Sequence, residues 1–157
     1  MFKLEFGIVH RGCVVNKLSR ALPQVRLICP AGFVLDASSA YEILALDNPA
    51  DEDVRAAIDY LKGSDNIAQV SLLERTADKA FIHIVSSAAP ETGYCSQAVA
   101  RNLCFPLSKE VQHGGVEQWE VGCMERSQAD RLVEDLKGMG DLKYHRISQV
   151  SWAELAP

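Results

Sequence analysis

A histidine and a cysteine stand three residues apart in His10-Arg11-Gly12-Cys13, where the first apolar strand pattern of the chain ends. On a turn, this spacing lets an imidazole nitrogen and a thiolate face one metal ion. The other cysteines and histidines are scattered, so no second close pair completes a four-ligand set. Packing is the alternative interpretation, because a free cysteine also behaves as a small buried hydrophobic residue. A metal or thiol sensor using His10 and Cys13 is therefore one open hypothesis.

Two loops that follow predicted strands are the best candidates for binding a small ligand. A helix N-terminus offers free backbone N–H groups to an anion, and a glycine there permits close approach. The alternative is an ordinary strand-to-helix turn. The candidate residues are Arg11, Gly12, Cys13 and Asn16 in the first loop, and Gly93, Tyr94 and Cys95 in the second.

Local catalytic motifs are missing from the sequence. There is no G-x-S-x-G elbow, no cysteine-protease signature and no Walker-type loop. Gly114-Gly115 leads into a strand pattern rather than a helix, which indicates a turn and not a phosphate-binding loop. We therefore expect no cofactor, and an enzyme is the less favoured interpretation, although catalytic residues could still assemble from distant positions.

The composition excludes several classes of function. Sixteen basic and 21 acidic residues give a formal charge of −5, which repels a phosphate backbone and argues against direct nucleic-acid binding. No apolar run is long enough to cross a membrane, and the N-terminus does not resemble a signal peptide. Five cysteines, an odd number without a CxxC pair, favour reduced thiols and a cytoplasmic location.

The elements that must position these residues follow a repeat of 75 residues. Three of the identities are Phe6 with Phe81, Cys29 with Cys104, and Glu42 with Glu117. A period this long indicates two copies of a small domain, predicted at 1–76 and 79–150, rather than a solenoid. Cys29 and Cys104 would then be equivalent core residues, or they could meet at an internal pseudo-axis as a redox pair or metal site.

In the first copy, alternating apolar residues predict strands at about 2–10, 25–29, 40–47 and 66–75. Helical spacing predicts helices at about 13–22 and 51–62, the first ended by Pro23 and the second by Gly63. The Pro30-Ala31-Gly32 segment is expected to form a turn after the second strand.

The second copy is predicted to have the same order of elements. Strands are expected at about 81–85 and 116–124, with a last strand through Leu142 and Ile147. Helices are expected at about 94–103 and from Ser127, with Asp130 in a capping-box position, to Gly138. The second strand of this copy is obscure, and 104–107 is its candidate.

This order predicts an α+β protein made of two tandem ferredoxin-like βαββαβ copies. Each copy would have an antiparallel sheet with its helices on one face. Only residues 76–78 separate the copies, so we expect them to be rigidly coupled, and strand exchange between them stays open.

Three short segments carry a family resemblance: His10-Arg11-Gly12-Cys13, Leu18-Ser19 and Leu22-Pro23-Gln24-Val25. They resemble the regulatory region at the start of helix-turn-helix transcription regulators of the bacterio-opsin-activator type. The resemblance implies a region that senses a signal and passes it to a DNA-binding end, for which no room remains after Val150. In the order of its strands and helices alone, the chain is also similar to tandem ACT-type domains, which bind small effectors between paired copies.

The expected function is that of a small-molecule-sensing regulatory domain linked to transcription regulation. Its partner would be a small effector bound near the interface between the copies or at the two loops, while a homodimer stays open. A metal or thiol sensor and a small enzyme without a local motif are the alternatives.

Overall fold

The computed structural model describes residues 1–156, and within that range the chain forms nine strands, four α-helices and a short 3₁₀ helix at Trp152–Leu155. The strands are β1 (Phe2–His10), β2 (Arg26–Val34), β3 (Ala40–Asp47), β4 (Ile67–Arg75), β5 (Lys79–Ser86), β6 (Phe105–Pro106), β7 (Glu110–His113), β8 (Val116–Cys123) and β9 (Gly140–Gln149). The helices are α1 (Val14–Ala21), α2 (Asp51–Lys62), α3 (Cys95–Arg101) and α4 (Arg126–Met139). The α+β class is confirmed. Within the same range, no helix has the length and apolar character that crossing a membrane requires.

All nine strands belong to one antiparallel sheet, so the two separate sheets of the tandem prediction are not present. The strand order is β4-β5-β3-β2-β7-β8-β1-β9, and β6 pairs with β8. We call β2–β5 with α1 and α2 the first half, and β1 and β6–β9 with α3 and α4 the second half. Each half thus contains a first strand from the other side of the predicted boundary between the copies.

The short connection between β4 and β5 explains part of this arrangement. Only residues 76–78 lie between Arg75 and Lys79, and a connection of this length joins antiparallel neighbours rather than strands that lie far apart. β5 therefore pairs with β4 and β3 in the first half. β1 takes the corresponding place between β8 and β9 in the second half.

Two hydrophobic cores lie on the same face of the sheet. Residues directly opposite one another in antiparallel strands share a face, and the registers carry one face from Ile82 through Leu46 and Leu27 to Glu117 and Ile8. The first core packs α1 and α2 on β2, β3 and β5. The second core packs α3 and α4 on β1 and β8.

The repeat of 75 residues holds for the two long helices. Leu61 of α2 and Leu136 of α4 are both fully buried, as are Ala57 and Leu132. It fails for the first strands, because Ile8 lies opposite Glu117 whereas Ile84 lies opposite Glu42, which makes their offset 76. Because successive residues of a strand face opposite sides of the sheet, an offset of 75 pairs first-strand residues that lie on opposite faces.

Three local predictions are wrong. β2 continues through Pro30-Ala31-Gly32, because its register shifts between Ile28 and Ala31 and a bulge of this kind accommodates a proline. The predicted second strand at 104–107 is reduced to the two residues of β6, and β7 was missed. The capping residue of α4 is Glu125, whose backbone N–H donates to Gln128 Oε1 at 3.0 Å, and the helix continues past Gly138.

Candidate functional site

The two predicted loops lie against each other where β1 and β5 end. The Nε2–H of His10 donates a hydrogen bond to the Gly93 carbonyl oxygen at 2.9 Å, because a carbonyl can only accept. The Thr92 hydroxyl donates to the carbonyl oxygen of Arg11 at 3.3 Å. The fold therefore brings both loops to one place, although their role in ligand binding stays a prediction.

A buried ion pair joins β1 to β8 at this place. His10 Nδ1 lies 3.0 Å from Glu117 Oε2, and the Trp119 indole N–H donates to Glu117 Oε1 at 2.7 Å. Burial acts to raise the pKa of Glu117, but the hydrogen bond and charge of His10 and the Trp119 donor outweigh it and lower that pKa. Glu117 is consequently held as a carboxylate in the interior.

Two cysteines complete a group that we call the seam cluster: His10, Cys13, Cys95 and Glu117. The ligand atoms of His10, Cys13 and Glu117 all lie within 4.8 Å of one another. Cys95 Sγ lies 3.7 Å from His10 Nδ1. Burial raises the pKa of both thiols, and the negative charge of Glu117 raises it further. The cluster has donor atoms that suit a soft or borderline divalent cation.

The other predicted loop residues have structural surroundings. Asn16 is fully buried, and its Nδ2 donates to Gln112 Oε1 and to the Gly115 carbonyl oxygen, each at 3.0 Å. It thereby ties α1 to the β7–β8 hairpin. Gly12 and Gly93 have φ angles of +79° and +83°, which only glycine adopts readily. The Arg11 side chain is exposed to solvent.

Tyr94 lies beside the seam cluster. It borders a small cavity of about 30 Å³, together with Cys13 and Glu42. Burial raises the pKa of the Tyr94 hydroxyl. This residue therefore lies between the cluster and the first half.

A groove of about 750 Å³ opens between the two halves. The β2–β3 hairpin forms one wall, and α3 with the segment from Cys104 to Glu110 forms the other. Phe105 and Trp119 supply aromatic surface, while Glu42 and Glu110 supply carboxyl groups. The groove is thus a mostly apolar site with two acidic groups in its wall.

The two groove carboxyl groups lack a buried cation to neutralise them. Burial, then the charge of Glu117, raises the pKa of Glu42 to about 7. Burial, then Glu117 and Glu42, raises the pKa of Glu110 well above its usual range. Of the wall residues that the structure describes, Lys109 is the basic one, and it is exposed. The groove therefore has unsatisfied affinity for positive charge.

Sequence reasoning missed Glu42, Glu110, Glu117 and Trp119 as site residues. The signal was the repeat itself, because Glu42 and Glu117 are carboxylates at equivalent positions in two strand patterns. A glutamate is rarely buried without a partner, so a repeated one within a strand indicates a functional or paired site. The two equivalent cysteines follow the core interpretation: Cys29 packs against the first core, and Cys104 is buried in the second, where its Sγ lies 2.7 Å from that of Cys123.

One protein family, described as HVO_2525_N, N-terminal, has a model that matches residues 3–142 of this chain. No curated protein and no solved structure matches this chain. The family match contains no link to regulators of the bacterio-opsin-activator type, so that resemblance stays a prediction.

Proposed function

We propose that this chain, which belongs to the halophilic archaeal HVO_2525_N family, is a sensing module that binds a small organic cation in the groove between its halves. The observation that carries the proposal is the pair of uncompensated carboxyl groups, Glu42 and Glu110, in an apolar groove. The ligand would have an apolar body and an amine head group.

The size and lining of the groove favour a small molecule. Ligand sites are concave, mostly apolar and of about 300–1,000 Å³, with a few polar groups that fix orientation. The groove volume of about 750 Å³ falls in this range. Phe105 and Trp119 offer flat surfaces on which an apolar body could pack, and an aromatic face also attracts a cation.

The two acidic groups of the groove favour a ligand with a positively charged head group. Burial and the charge of Glu117 disfavour ionisation of Glu42 and Glu110, and an amine between them would offset this and favour their carboxylate forms. A carboxylate ligand would add a further negative charge to the same place. We therefore expect cations to bind and their anionic counterparts to be rejected.

The connection between the halves supports a sensing role. Three residue pairs join β2 to β7, from Leu27 with Gln112 to Cys29 with Glu110. A ligand that contacts both walls of the groove would bind one relative position of the halves more tightly than others and so shift their equilibrium. The description of the family as an N-terminal region and the resemblance to transcription regulators support a signal passed to a neighbouring domain.

The strand order supports a finer description of the fold. The first half has the order β4-β5-β3-β2, and the second half has the corresponding order β9-β1-β8-β7. We propose that each half is a ferredoxin-like unit whose first strand is exchanged with that of the other half. The predicted boundaries at 1–76 and 79–150 would then describe the sequence copies but not the packed halves.

A thermal-shift screen with paired compounds tests the ligand proposal. Each pair shares one apolar body and carries either an amine or a carboxylate, and the assay uses the full chain at molar salt with a chelator present. Saturable stabilisation by amines, but not by the matched acids, is the expected result. Equal shifts with both members of each pair, or no shift across the amines, would contradict the proposal.

Two variants locate the binding site. Glu110→Gln removes a groove carboxyl group, whereas Glu52→Gln removes an exposed carboxyl group on α2. The shift caused by a binding amine should fall in Glu110→Gln and remain in Glu52→Gln. Equal shifts in the two variants would place the ligand elsewhere.

A further inference from the structure

We propose that the seam cluster of His10, Cys13, Cys95 and Glu117 binds one divalent metal ion of the zinc class. Imidazole nitrogen, thiolate sulfur and carboxylate oxygen are all established ligand atoms for zinc, which takes four of them tetrahedrally. Three of the four ligand atoms lie within 4.8 Å of one another, and the fourth lies 3.7 Å from His10 Nδ1. The donor set contains two sulfurs, which favours zinc over magnesium or calcium.

The outer hydrogen bonds of the cluster hold His10 Nδ1 and Glu117 Oε2 facing each other, and the proton between these two atoms leaves when a metal ion binds. His10 donates its Nε2–H to the Gly93 carbonyl oxygen, which directs Nδ1 towards the cluster. The Trp119 indole N–H donates to Glu117 Oε1 and leaves Oε2 beside His10 Nδ1. Partners of this kind, a carbonyl for a ligating histidine and a donor for a ligating carboxylate, orient the ligands of metal sites.

The burial of the cluster favours metal binding. His10 and Glu117 are each 3% exposed, and Cys95 is 2% exposed. His10 and Glu117 already pair with each other, and in the interior the attraction between a metal ion and a carboxylate or thiolate is stronger than in water. Cys13 is half-buried and lies at the N-cap position of α1.

The repeat predicts one such site in each chain. Glu42 corresponds to Glu117 in the first half, and at the first-strand offset of 76 the residue that corresponds to His10 is Ser86. A serine hydroxyl replaces the imidazole, so the equivalent place in the first half lacks the nitrogen ligand. The four proposed ligands differ from Glu42 and Glu110, on which amine binding depends, although Trp119 both borders the groove and donates to Glu117.

Zinc and cobalt titrations of the reduced full chain at molar salt test the proposal. In one titration zinc is the only metal present, and its affinity is measured by competition with a chromophoric chelator. In the other, cobalt binding is followed by the absorption spectrum of the complex. We expect one ion per chain. The cobalt complex should show thiolate-to-cobalt charge transfer and the intense visible bands of a tetrahedral site. A spectrum without thiolate charge transfer, or no binding above the affinity of the chelator, would overturn the proposal.

A matched pair of cysteine variants identifies the ligands. Cys13→Ser keeps a side chain that can cap α1, so it should fold, and it should lose at least about tenfold in zinc affinity. Cys29→Ser changes another half-buried cysteine, outside the cluster, and should bind zinc as the wild type does. Unchanged affinity in Cys13→Ser, or an equal loss in Cys29→Ser, would show that the ligand set is wrong.

A tryptophan pair tests the positioning role of the hydrogen bond to Glu117. Trp119→Phe removes that bond and should weaken zinc binding about 10- to 100-fold. Trp152→Phe removes an exposed indole and should leave the zinc affinity unchanged. Circular dichroism in chelator confirms that both variants fold. Full zinc affinity in a folded Trp119→Phe would contradict the positioning role.

Discussion

The imidazole of His10 and the carboxylate of Glu117 meet across 107 residues of chain, with Nδ1 and Oε2 3.0 Å apart. Their side chains are only 2% and 4% exposed. β1 and β8 bring them together, because these two strands pair with each other in the sheet. This single contact therefore joins β1 to β8, and it also holds two ligands of the proposed metal site.

Removal of one member of this pair should be costly in the metal-free protein. Glu117→Ala leaves the histidine buried without its partner, and we expect it to lower the free energy of unfolding by about 3 kcal/mol or more. Glu5→Ala breaks the ion pair with Arg146, a residue that is 71% exposed in its side chain, and should cost less than about 1 kcal/mol. Urea unfolding in chelator measures both. If both variants lost the same unfolding free energy, the buried pair would stabilise the protein no more than an exposed ion pair does.

The stability of the protein should fall as pH rises from about 4.5 to 7, through Glu42. Its folded-state pKa is raised from 4.5 to about 7, so the folded protein binds the proton more tightly than the unfolded chain in that window. Neutral Glu42 costs little, and ionised Glu42 costs roughly 3 kcal/mol. Glu42→Gln should therefore gain stability relative to wild type as pH rises towards 7, in urea unfolding with chelator.

Exposed Glu52 is the control for this pH effect. Glu52→Gln changes a glutamate on the surface of α2, and its stability should follow that of the wild type at every pH. If the difference in unfolding free energy between Glu42→Gln and wild type stayed constant from pH 5 to pH 8, the raised pKa of Glu42 would be contradicted.

Mild oxidation should link Cys104 to Cys123. Their sulfur atoms lie 2.7 Å apart, and the hydrogen bond from Cys123 lowers the pKa of Cys104, which favours its reactive thiolate. Diamide would accept two electrons and two protons from the thiols as the sulfur–sulfur bond forms. Peptide mapping after alkylation should find this pair joined. Recovery of both residues as alkylated thiols would refute the expectation, and Cys123→Ser is the control.

Neither sequence copy should fold alone, because each lacks one strand of its core. Residues 79–156 lack Leu4, Phe6 and Ile8, which are buried in the second core. A fragment that joins residues 1–11 directly to 93–156 restores β1, and the contact between Thr92 and Arg11 shows that the ends can meet. Circular dichroism should show cooperative thermal unfolding for the joined fragment only. Cooperative unfolding of 79–156 by itself would contradict the exchange.

Most of the elements could be predicted from the sequence, because amphipathic periodicity depends only on local spacing. The bounds of β1, β3 and α2 agree with the predicted ranges. The pairing of strands could not be read in the same way. The alternating apolar residues of β1 could pack in either half. Its pairing with β8 and β9, which lie far along the chain, places it in the second half.

The first strands show how a correct repeat can mislead. Phe6 and Phe81 match at an offset of 75, but Phe6 is fully buried and Phe81 is half-buried on the other face. A slip of one residue reverses the side of a strand to which a side chain belongs. For the candidate site, His10 and Cys13 could be found from their spacing, whereas Glu117 and Cys95 required the fold.

The three residues between β4 and β5 also determine that the two sequence copies assemble within one chain. If they were cut, the two sequence copies would be a symmetric pair of chains, each lending its first strand to the other. Joining such chains into one removes the dependence of assembly on protein concentration. It also frees the two sites to diverge, as His10 and its counterpart Ser86 have done. The single chain therefore holds two halves of corresponding strand order that carry different residues at equivalent places.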